Sequence, residues 1–297
     1  MKYKVLIIGY GSIGKRYYDL LSKEKNLFKL YVLSKRYKSK LNFINKRHKI
    51  LEINPDLIII CSKTSDHIKD LKLVEKYFSH KKILIEKPIF SKVEKLPDTK
   101  NKIFVGYNLR FHPLLKKLIN LVKKKQMYSI IINCSSYLPN WRKNIHYTLS
   151  SSAIDQKGGG VLKDLSHELD YLLLLKKNIR INHFIYKKIS NLKIKTKDYF
   201  HLNASSVETK IDLTLKYFSL EAYRFISVDC KDSHFYLDLI KNKLRIKNLK
   251  GLKTIQLKNY KIDHTYINQV KSILKNKNEA CSLRDGIKVL KLIEKFK

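Results

Sequence analysis

The sequence predicts an α/β protein whose first third forms a parallel sheet covered by helices. Short apolar runs rich in β-branched residues alternate there with amphipathic stretches, an order typical of parallel βαβ units. Continuous apolar runs such as Leu57–Ile60 indicate strands that are covered on both faces. The predicted strands are Lys4–Gly9, Phe28–Ser34, Leu57–Cys61, Ile83–Glu86 and Ile103–Tyr107.

The pattern changes after about Pro113, where apolar and polar residues alternate over longer runs. Such alternation predicts partly antiparallel strands with one face in water. We therefore predict a Rossmann-like domain at 1–113 and an α+β domain at 114–297. The strands predicted for the second domain are Tyr128–Tyr137, Ile181–Ser190, Val207–Phe218 and Glu221–Asp229, and the helices are about Gly160–Lys176, His264–Lys275 and Leu283–Phe296.

Composition excludes several classes of protein. Hydrophobic residues make up 44% of the 297 residues, which is enough for a globular core. The longest apolar runs have five residues, far fewer than the roughly 20 that span a bilayer, so we predict no membrane association. The N-terminal apolar run leads into a glycine motif and not into a cleavage site, which predicts a cytoplasmic protein. The four cysteines form no C-x-x-C pair, which argues against zinc ribbons and disulfide frameworks.

The chain is strongly basic, with 63 Lys and Arg against 25 Asp and Glu and a net charge of +38. Only nine of the basic residues are Arg, and the lysines are spread along the whole chain. Specific nucleic-acid contacts favour Arg and clustered charge, so we predict no nucleic-acid partner and keep a basic nucleic-acid binder as an alternative. The positive field would attract an anionic substrate.

A glycine motif follows the first predicted strand and precedes a predicted helix. Gly9 would make the tight turn, Gly11 would let the backbone approach a pyrophosphate, and Gly14 would let helix and strand pack closely. The N–H groups near Ser12 and Ile13 would then face the phosphates at the helix N-terminus. This context predicts dinucleotide binding, with an ordinary glycine turn as the alternative.

The end of the second predicted strand reads Ser34-Lys35-Arg36, where an acidic residue would bind the ribose 2′-OH of NAD. A hydroxyl followed by two cations suits a 2′-phosphate better than a carboxylate would. The sequence therefore favours NADP over NAD. The alternative is that Lys35 and Arg36 are merely solvated.

Glu86-Lys87-Pro88 follows a strand of the parallel sheet, where ligands of open α/β sheets bind. Lys87 could polarise a substrate oxygen there, and Pro88 would fix the local backbone through a trans or a cis bond. The alternative is a surface lysine after a strand. Ser62, His67 and Glu86 are further candidates for contact with the cofactor.

The segment from Gly158 to Asp170 has three glycines before a predicted helix. Asp164, His167 and Asp170 are spaced three apart, which would place them on one arc of that helix. A histidine flanked by carboxylates can act as a general base near neutral pH. The alternatives are a helix cap at Asp164 with a partly buried His167, or a metal site, for which no further ligand is evident; we predict no metal.

These motifs, taken in order, resemble the glucose-fructose oxidoreductase and inositol dehydrogenase family, Gfo/Idh/MocA. The matching segments are GYGSIG, EKP, GYNLRFHP (Gly106–Pro113) and GGGVLKDLSHELDY, and the resemblance covers nearly the whole chain. It implies a Rossmann domain followed by an α+β domain with a large open, mostly antiparallel sheet. It also implies NAD(P)-dependent oxidation or reduction of hydroxyl or keto groups of sugars and a homodimer or homotetramer.

The resemblance implies roles for particular residues. Lys87, Asp164 and His167 would be catalytic, and Asn108 and Arg110 would lie near the nicotinamide and the substrate. Family members commonly place the aspartate and histidine four residues apart, whereas here the spacing is three and Glu168 occupies the fourth position. Whether His167 or Glu168 is the base therefore stays open.

The loop Leu138–Tyr147 contains the only tryptophan of the chain. Trp141 and Tyr147 could stack on a sugar and Arg142 could bind a carboxylate or phosphate, which would make the loop a substrate lid. The alternative is an ordinary surface loop. Together with the DLSHELDY segment, the loop is similar to a subgroup from surface-polysaccharide and nonulosonate sugar pathways.

The hypothesis drawn from the sequence is hydride transfer between a nicotinamide and a substrate carbinol carbon. His167 would take or return the hydroxyl proton, and Lys87 would stabilise the oxygen. The competing hypothesis is a cofactor-binding sensor or subunit that has kept the fold and lost turnover.

Overall fold

The computed structural model describes residues 2–35, 43–44, 47–142, 145–155 and 158–296. The chain divides into two compact units: the first is Met1–Phe111 with Ile262–Lys291, and the second is His112–Lys261 with Leu292–Lys297. The first boundary lies close to the predicted one at 113. Residues 262–291, which the sequence analysis assigned to the second domain, pack with the first unit.

The first unit contains a seven-stranded sheet in the order β15-β6-β5-β4-β1-β2-β3. Its neighbouring strands are parallel, except that the short edge strand β15 runs antiparallel to β6. The predicted parallel sheet is confirmed. The strands are β1 Tyr3–Ile8, β2 Phe28–Leu33, β3 Phe43–Ile44, β4 Leu57–Ile60, β5 Lys82–Ile85, β6 Lys102–Val105 and β15 Cys281–Ser282.

The register of this sheet decides which loops meet at one edge. Ile8 at the end of β1 is paired with Ile60 of β4, which is paired in turn with Ile85 of β5. The residues that follow these strands therefore begin at the same edge, where ligands bind in open α/β sheets. These residues include the glycine turn, Ser62 and the Glu86-Lys87-Pro88 motif.

Helices cover the apolar strands of the first unit. Helix α1 contributes Tyr17 to a buried cluster with Val5 and Ile7 of β1, and α6 contributes Val270 and Ile273 to the same cluster. The apolar face of α6 thus explains why this distant segment joins the first unit. The helices are α1 Ser12–Leu21, α2 His67–Tyr77, α6 Asp263–Leu274 and α7 Leu283–Glu294, of which α7 continues into the second unit.

The second unit contains an eight-stranded sheet in the order β14-β13-β12-β11-β7-β10-β9-β8. Its pairs are antiparallel except for β7 with β10, so the prediction of a large, mostly antiparallel sheet is confirmed. The strands are β7 Met127–Tyr137, β8 Arg180–Lys187, β9 Tyr199–Ser206, β10 Thr209–Lys216, β11 Phe218–Cys230, β12 Ser233–Asp238, β13 Lys243–Asn248 and β14 Gly251–Gln256.

The helix predicted at Gly160–Lys176 is wrong as a single element. The structure has two helices there, α4 Val161–Asp164 and α5 His167–Leu175, and Leu165 between them leaves helical geometry with ψ of 32°. Asp164 and His167 therefore do not share one helical arc. The remaining helix of the second unit, α3, is Pro113–Val122.

Within the described part of the chain, no helix has both the length and the apolar character required to cross a bilayer. The four cysteines are all buried and form no disulfide bond.

Candidate functional site

The glycine turn after β1 packs tightly against its neighbours. Gly9 has φ of +94°, in the region that favours glycine, and a Cβ there would lie 2.7 Å from the backbone nitrogen of Ser62. A Cβ on Gly14 would lie 2.1 Å from the carbonyl oxygen of Gly9. These two glycines are therefore required by the close approach of the turn, α1 and the loop after β4.

Gly11 differs from both, because a Cβ built on it has no neighbour within 4 Å among the residues that the structure describes. Gly11 is the N-cap of α1, and the first N–H groups of a helix, here those of Ser12 and Ile13, have no acceptor within it. The first turn of α1 contains no acidic residue. The space beside Gly11 thus suits an anionic group placed against the backbone.

Ser62 adds a polar group close to this turn. Its hydroxyl oxygen is buried and forms no hydrogen bond with the residues that the structure describes. Buried polar atoms are nearly always hydrogen-bonded, so an unpartnered hydroxyl indicates a position for a ligand group. The open glycine, the helix N-terminus and this hydroxyl together fit a dinucleotide.

His67 is the first residue of α2 and only 1% exposed. Its Nδ1 lies 2.9 Å from the carbonyl oxygen of Ile89, and its Nε2 lies 3.2 Å from that of Ser62. Burial lowers the pKa of His67, with the two carbonyl groups opposing the effect. The imidazole thus connects the Ser62 loop to the segment after Pro88, and its predicted contact with a cofactor stays a prediction.

The Lys87–Pro88 peptide bond is cis, as the sequence analysis considered. Lys87 follows β5 and is half-buried. The carboxyl group of Glu86 is buried: the Tyr17 hydroxyl oxygen lies 2.9 Å from its Oε1, and the backbone nitrogen of Lys87 lies 3.3 Å from its Oε2. The side chain of Glu86 is enclosed in the core of the first unit, and its predicted contact with a cofactor stays a prediction.

At the end of β2 the backbone N–H of Ser34 donates to the carbonyl oxygen of Ile44, at 3.4 Å. Lys35 is exposed, as both the cofactor hypothesis and the solvated alternative require. Arg36 lies outside the described residues. The choice between NADP and NAD therefore stays a prediction.

Asn108 and Arg110 both contact C-terminal segments of the first unit. The side-chain amide of Asn108 donates a hydrogen bond of 2.5 Å to the hydroxyl of Thr265 on α6. The guanidinium of Arg110 lies 3.5 Å from the carboxylate of Asp285 on α7. These contacts hold α6 and α7 against the turn after β6, a role that the sequence analysis did not anticipate.

In the second unit, Asp164 accepts a hydrogen bond of 2.5 Å from the hydroxyl of Tyr217. Tyr217 is fully buried, and burial followed by the charge of Asp164 raises its pKa well above the usual value. Tyr217 is therefore a neutral donor that orients Asp164. The sequence analysis missed it, although residues 211, 213 and 215 of β10 are buried in the same alternating phase.

Glu168, the alternative base, is fully buried beside an arginine. Its two oxygens accept hydrogen bonds of 2.6 and 3.0 Å from the guanidinium of Arg224, and Tyr171 donates another of 3.0 Å. Burial lowers the pKa of Arg224, but the neighbouring Glu168 outweighs it and the pKa is raised. A carboxylate held in this way is a structural ion pair, which favours half-buried His167 as the base.

The three residues predicted to form a substrate lid lie together in the second unit. Trp141, Arg142 and Tyr147 line a depression of about 200 Å³, including space open to solvent, with Leu138, Ser150 and Ser152. The Trp141 ring meets the Tyr217 ring edge-on at 5.2 Å, so the depression adjoins the Tyr217–Asp164 pair. The Tyr147 hydroxyl accepts a hydrogen bond of 3.1 Å from the backbone of Lys193, which anchors the loop.

Comparison with protein-family models finds no match, and comparison with curated proteins finds none either. Solved structures do match across almost the whole chain. The dehydrogenase MviM from Clostridium difficile has a TM-score of 0.77 at 17% identity, covering 99% of this chain and 98% of that one. UDP-N-acetylglucosamine 3-dehydrogenase GnnA from Acidithiobacillus ferrooxidans has a TM-score of 0.78 at 15% identity, covering 100% and 97%.

A levoglucosan dehydrogenase in complex with NADH and L-sorbose has a TM-score of 0.82 at 13% identity, covering 99% of this chain and 95% of that one. At these identities the likeness establishes the fold. The chain thus has the fold of the Rossmann-type dehydrogenases, with a parallel and a mostly antiparallel sheet.

Proposed function

We propose that this protein is an NAD(P)-dependent oxidoreductase of the Gfo/Idh/MocA type that acts on a hydroxyl or keto group of a sugar or sugar derivative. The observation that carries the proposal is the cradle at the sheet edge, where the open space at Gly11 adjoins the N-terminus of α1. The hydroxyl of Ser62, which has no hydrogen-bond partner in the described part of the chain, would supply a further contact. The dehydrogenase names of the structural neighbours support the same class.

The cofactor, when bound, supplies the hydride chemistry. Gly9, Gly11, the N-terminus of α1 and Ser62 would hold its phosphates and ribose. Ser34, Lys35 and Arg36 favour NADP, because they offer a hydroxyl and two cations where NAD-binding chains carry an acid. The structural neighbour solved with NADH makes NAD the alternative.

On the substrate side, His167 would take or return the hydroxyl proton and Lys87 would stabilise charge on the oxygen. The hydrogen bond from Tyr217 keeps the carboxylate of Asp164 in one orientation. The depression at Trp141, Arg142 and Tyr147 offers two aromatic rings and a cation to a sugar. An anionic sugar fits the net charge of +38, and the resemblance suggests surface-polysaccharide or nonulosonate metabolism and a homodimer or homotetramer.

The test combines binding with turnover. Fluorescence titration with NADPH and NADH should show binding of at least one of them. At least one sugar in a panel of neutral, acidic and nucleotide-linked sugars should then change the absorbance of the nicotinamide cofactor, which reports turnover. Binding with no turnover across the panel would support the sensor alternative, and no binding of either cofactor would contradict the proposal.

A further inference from the structure

Beneath Lys87, three buried polar side chains from different elements form a short series in the first unit. Glu86 follows β5, Tyr17 lies on α1 and Gln269 lies on α6, and their exposed fractions are 7%, 0% and 0%. The Tyr17 hydroxyl oxygen lies 2.9 Å from Oε1 of Glu86 and 3.2 Å from Oε1 of Gln269. One hydroxyl hydrogen is therefore shared between two oxygens of its neighbours.

The orientation of the Gln269 amide follows from its other contact. Its Nε2 donates to the backbone carbonyl oxygen of Val105 at 3.3 Å. Turning the amide over would place its oxygen against that carbonyl oxygen, where neither atom can donate. The Gln269 oxygen must therefore face Tyr17, and it can only accept.

The Tyr17 hydroxyl then donates its only hydrogen to the Gln269 oxygen. The hydrogen between Tyr17 and Glu86 must therefore come from the carboxyl group of Glu86. We propose that Glu86 is a neutral carboxylic acid that donates to Tyr17, in a directed series Glu86 to Tyr17 to Gln269 to the Val105 carbonyl. Its second oxygen faces the backbone N–H of Lys87 at 3.3 Å. An ionised Glu86 could only accept the hydrogen bond of Tyr17, which has one hydroxyl hydrogen to donate. The Gln269 oxygen would then face the lone pairs of the Tyr17 oxygen, with no hydrogen between them.

The surroundings of the carboxyl group agree with this assignment. A Cβ on Gly106 would lie 2.5 Å from its Oε1, so the group is closely enclosed. Burial raises the pKa of Glu86 to about 7, and it outweighs the contact with the Tyr17 hydroxyl, the neighbouring Lys87 and the charge of Arg16, all of which lower that pKa. The other titratable groups that face it, Cys61, Tyr17 and Tyr266, have raised pKa values, chiefly through burial, and are neutral.

The series connects two parts of the proposed active site. Tyr17 lies on the helix whose first turn forms the dinucleotide cradle, and Glu86 adjoins Lys87 in the chain. Resting on the proposed function, we assign Glu86 as a positioning residue that aligns Lys87 with the cradle while it is protonated. Ionisation above neutral pH would reverse the Tyr17 hydrogen bond and break the series at Gln269.

Glu86→Gln is the decisive variant, because its NH₂ group can donate to Tyr17 and its oxygen can accept from the N–H of Lys87, as the two oxygens of the neutral acid would. We expect its melting temperature to exceed that of the original chain, by a larger margin at pH 9 than at pH 6. Tyr17→Phe is the matched control, because it breaks the series and leaves Glu86 itself unchanged. It should lower the melting temperature at both pH values. In turnover, Glu86→Gln should remove a limb near pH 7.

Infrared spectroscopy reports the proton directly. The original chain at pH 6 should show the carbonyl band of a protonated carboxyl group that is lost at pH 9 and is absent from Glu86→Gln. Absence of that band, or a Glu86→Gln chain that is destabilised at pH 6 or fails to fold, would overturn the proposal. These readouts need no cofactor or substrate, so they stand apart from failure of the proposed oxidoreductase activity.

Discussion

At the residue scale, the glycines of the turn after β1 differ in what surrounds them. The space at Gly11 is open, whereas Gly14 is pressed against the carbonyl oxygen of Gly9. The same small residue therefore leaves open space at one position and permits close packing at the other.

Gly11→Val should abolish binding of NADPH and NADH in a folded chain, because the new side chain would occupy the space beside Gly11, where a Cβ has no neighbour within 4 Å among the described residues. Gly14→Ala is the matched comparison and should lower the melting temperature, since its Cβ would clash with backbone at 2.1 Å. Thermal melts and fluorescence titrations measure both effects. Unchanged cofactor affinity in folded Gly11→Val would remove the dinucleotide assignment.

Cofactor choice depends on the residues after β2. We expect tighter binding of NADPH than of NADH, and we expect Arg36→Glu to weaken NADPH selectively, because a carboxylate repels a 2′-phosphate. Lys29→Glu, an exposed charge reversal on β2 itself, controls for the change in net charge. Equal or stronger binding of NADH by the original chain would contradict the NADP assignment.

The proposed catalytic residues should separate turnover from binding. Lys87→Met and His167→Ala should lower turnover by about 10² or more, with cofactor affinity within a few-fold, because general acid–base catalysis and oxyanion stabilisation typically contribute that much. The comparison variant is Glu168→Gln, which weakens the buried pair with Arg224 and should act mainly on stability. Full activity of both Lys87→Met and His167→Ala would contradict the proposed catalytic roles. Only the fold and the proposed binding of a cofactor would then remain.

At the scale of elements, the Glu86 series joins α1 and α6 to the end of β5. The pKa of Glu86 rises from 4.5 to about 7 on folding, so the folded state binds the proton more tightly than the unfolded chain. The protonated carboxyl group of Glu86 makes its full contribution to the free energy of unfolding below pH 4.5, and this contribution is lost as the pH rises through about 7. The loss amounts to about 3 kcal/mol, at 1.36 kcal/mol for each pKa unit.

Urea unfolding of the original chain and of Glu86→Gln between pH 5 and 9 measures this dependence. The difference between the two free energies of unfolding should shift by about 3 kcal/mol in favour of the variant across the range. A difference that stays constant with pH would show that Glu86 keeps one protonation state.

The break between α4 and α5 also depends on contacts between different elements of the structure. Asp164 is held by Tyr217, which lies between β10 and β11, and Glu168 is held by Arg224 of β11. The helix is interrupted between these two contacts, at Leu165. A helical pattern read from the local sequence cannot anticipate this, because tertiary contacts override local propensity.

At the scale of the whole molecule, the net charge of +38 raises the question of nucleic acid. We expect weak, sequence-independent DNA binding at low salt that falls by about a thousandfold or more between about 50 and 200 mM salt, as for many lysine–phosphate contacts. Binding isotherms at the two salt concentrations measure this. Tight, sequence-selective binding that persists near physiological ionic strength would favour the nucleic-acid alternative.

The sequence by itself determined the features that depend on neighbouring residues. Apolar runs separated by helical patterns predicted the parallel sheet, alternation predicted four of the eight strands of the second sheet, and the glycine spacing predicted the turn before α1. These features are local because a strand or a turn is encoded by the period and the conformational freedom of consecutive residues.

Only the tertiary structure decided which side chains meet across long stretches of chain. Tyr17 bonds Gln269 across 252 residues, and Tyr217 bonds Asp164 across 53. Arg224 forms an ion pair with Glu168, which lies 56 residues away in the sequence. This contact distinguishes Glu168 from His167, the residue before it. Such pairs depend on strand order, register and burial, and burial also decides the protonation of Glu86, because removing a carboxyl group from water favours its neutral form.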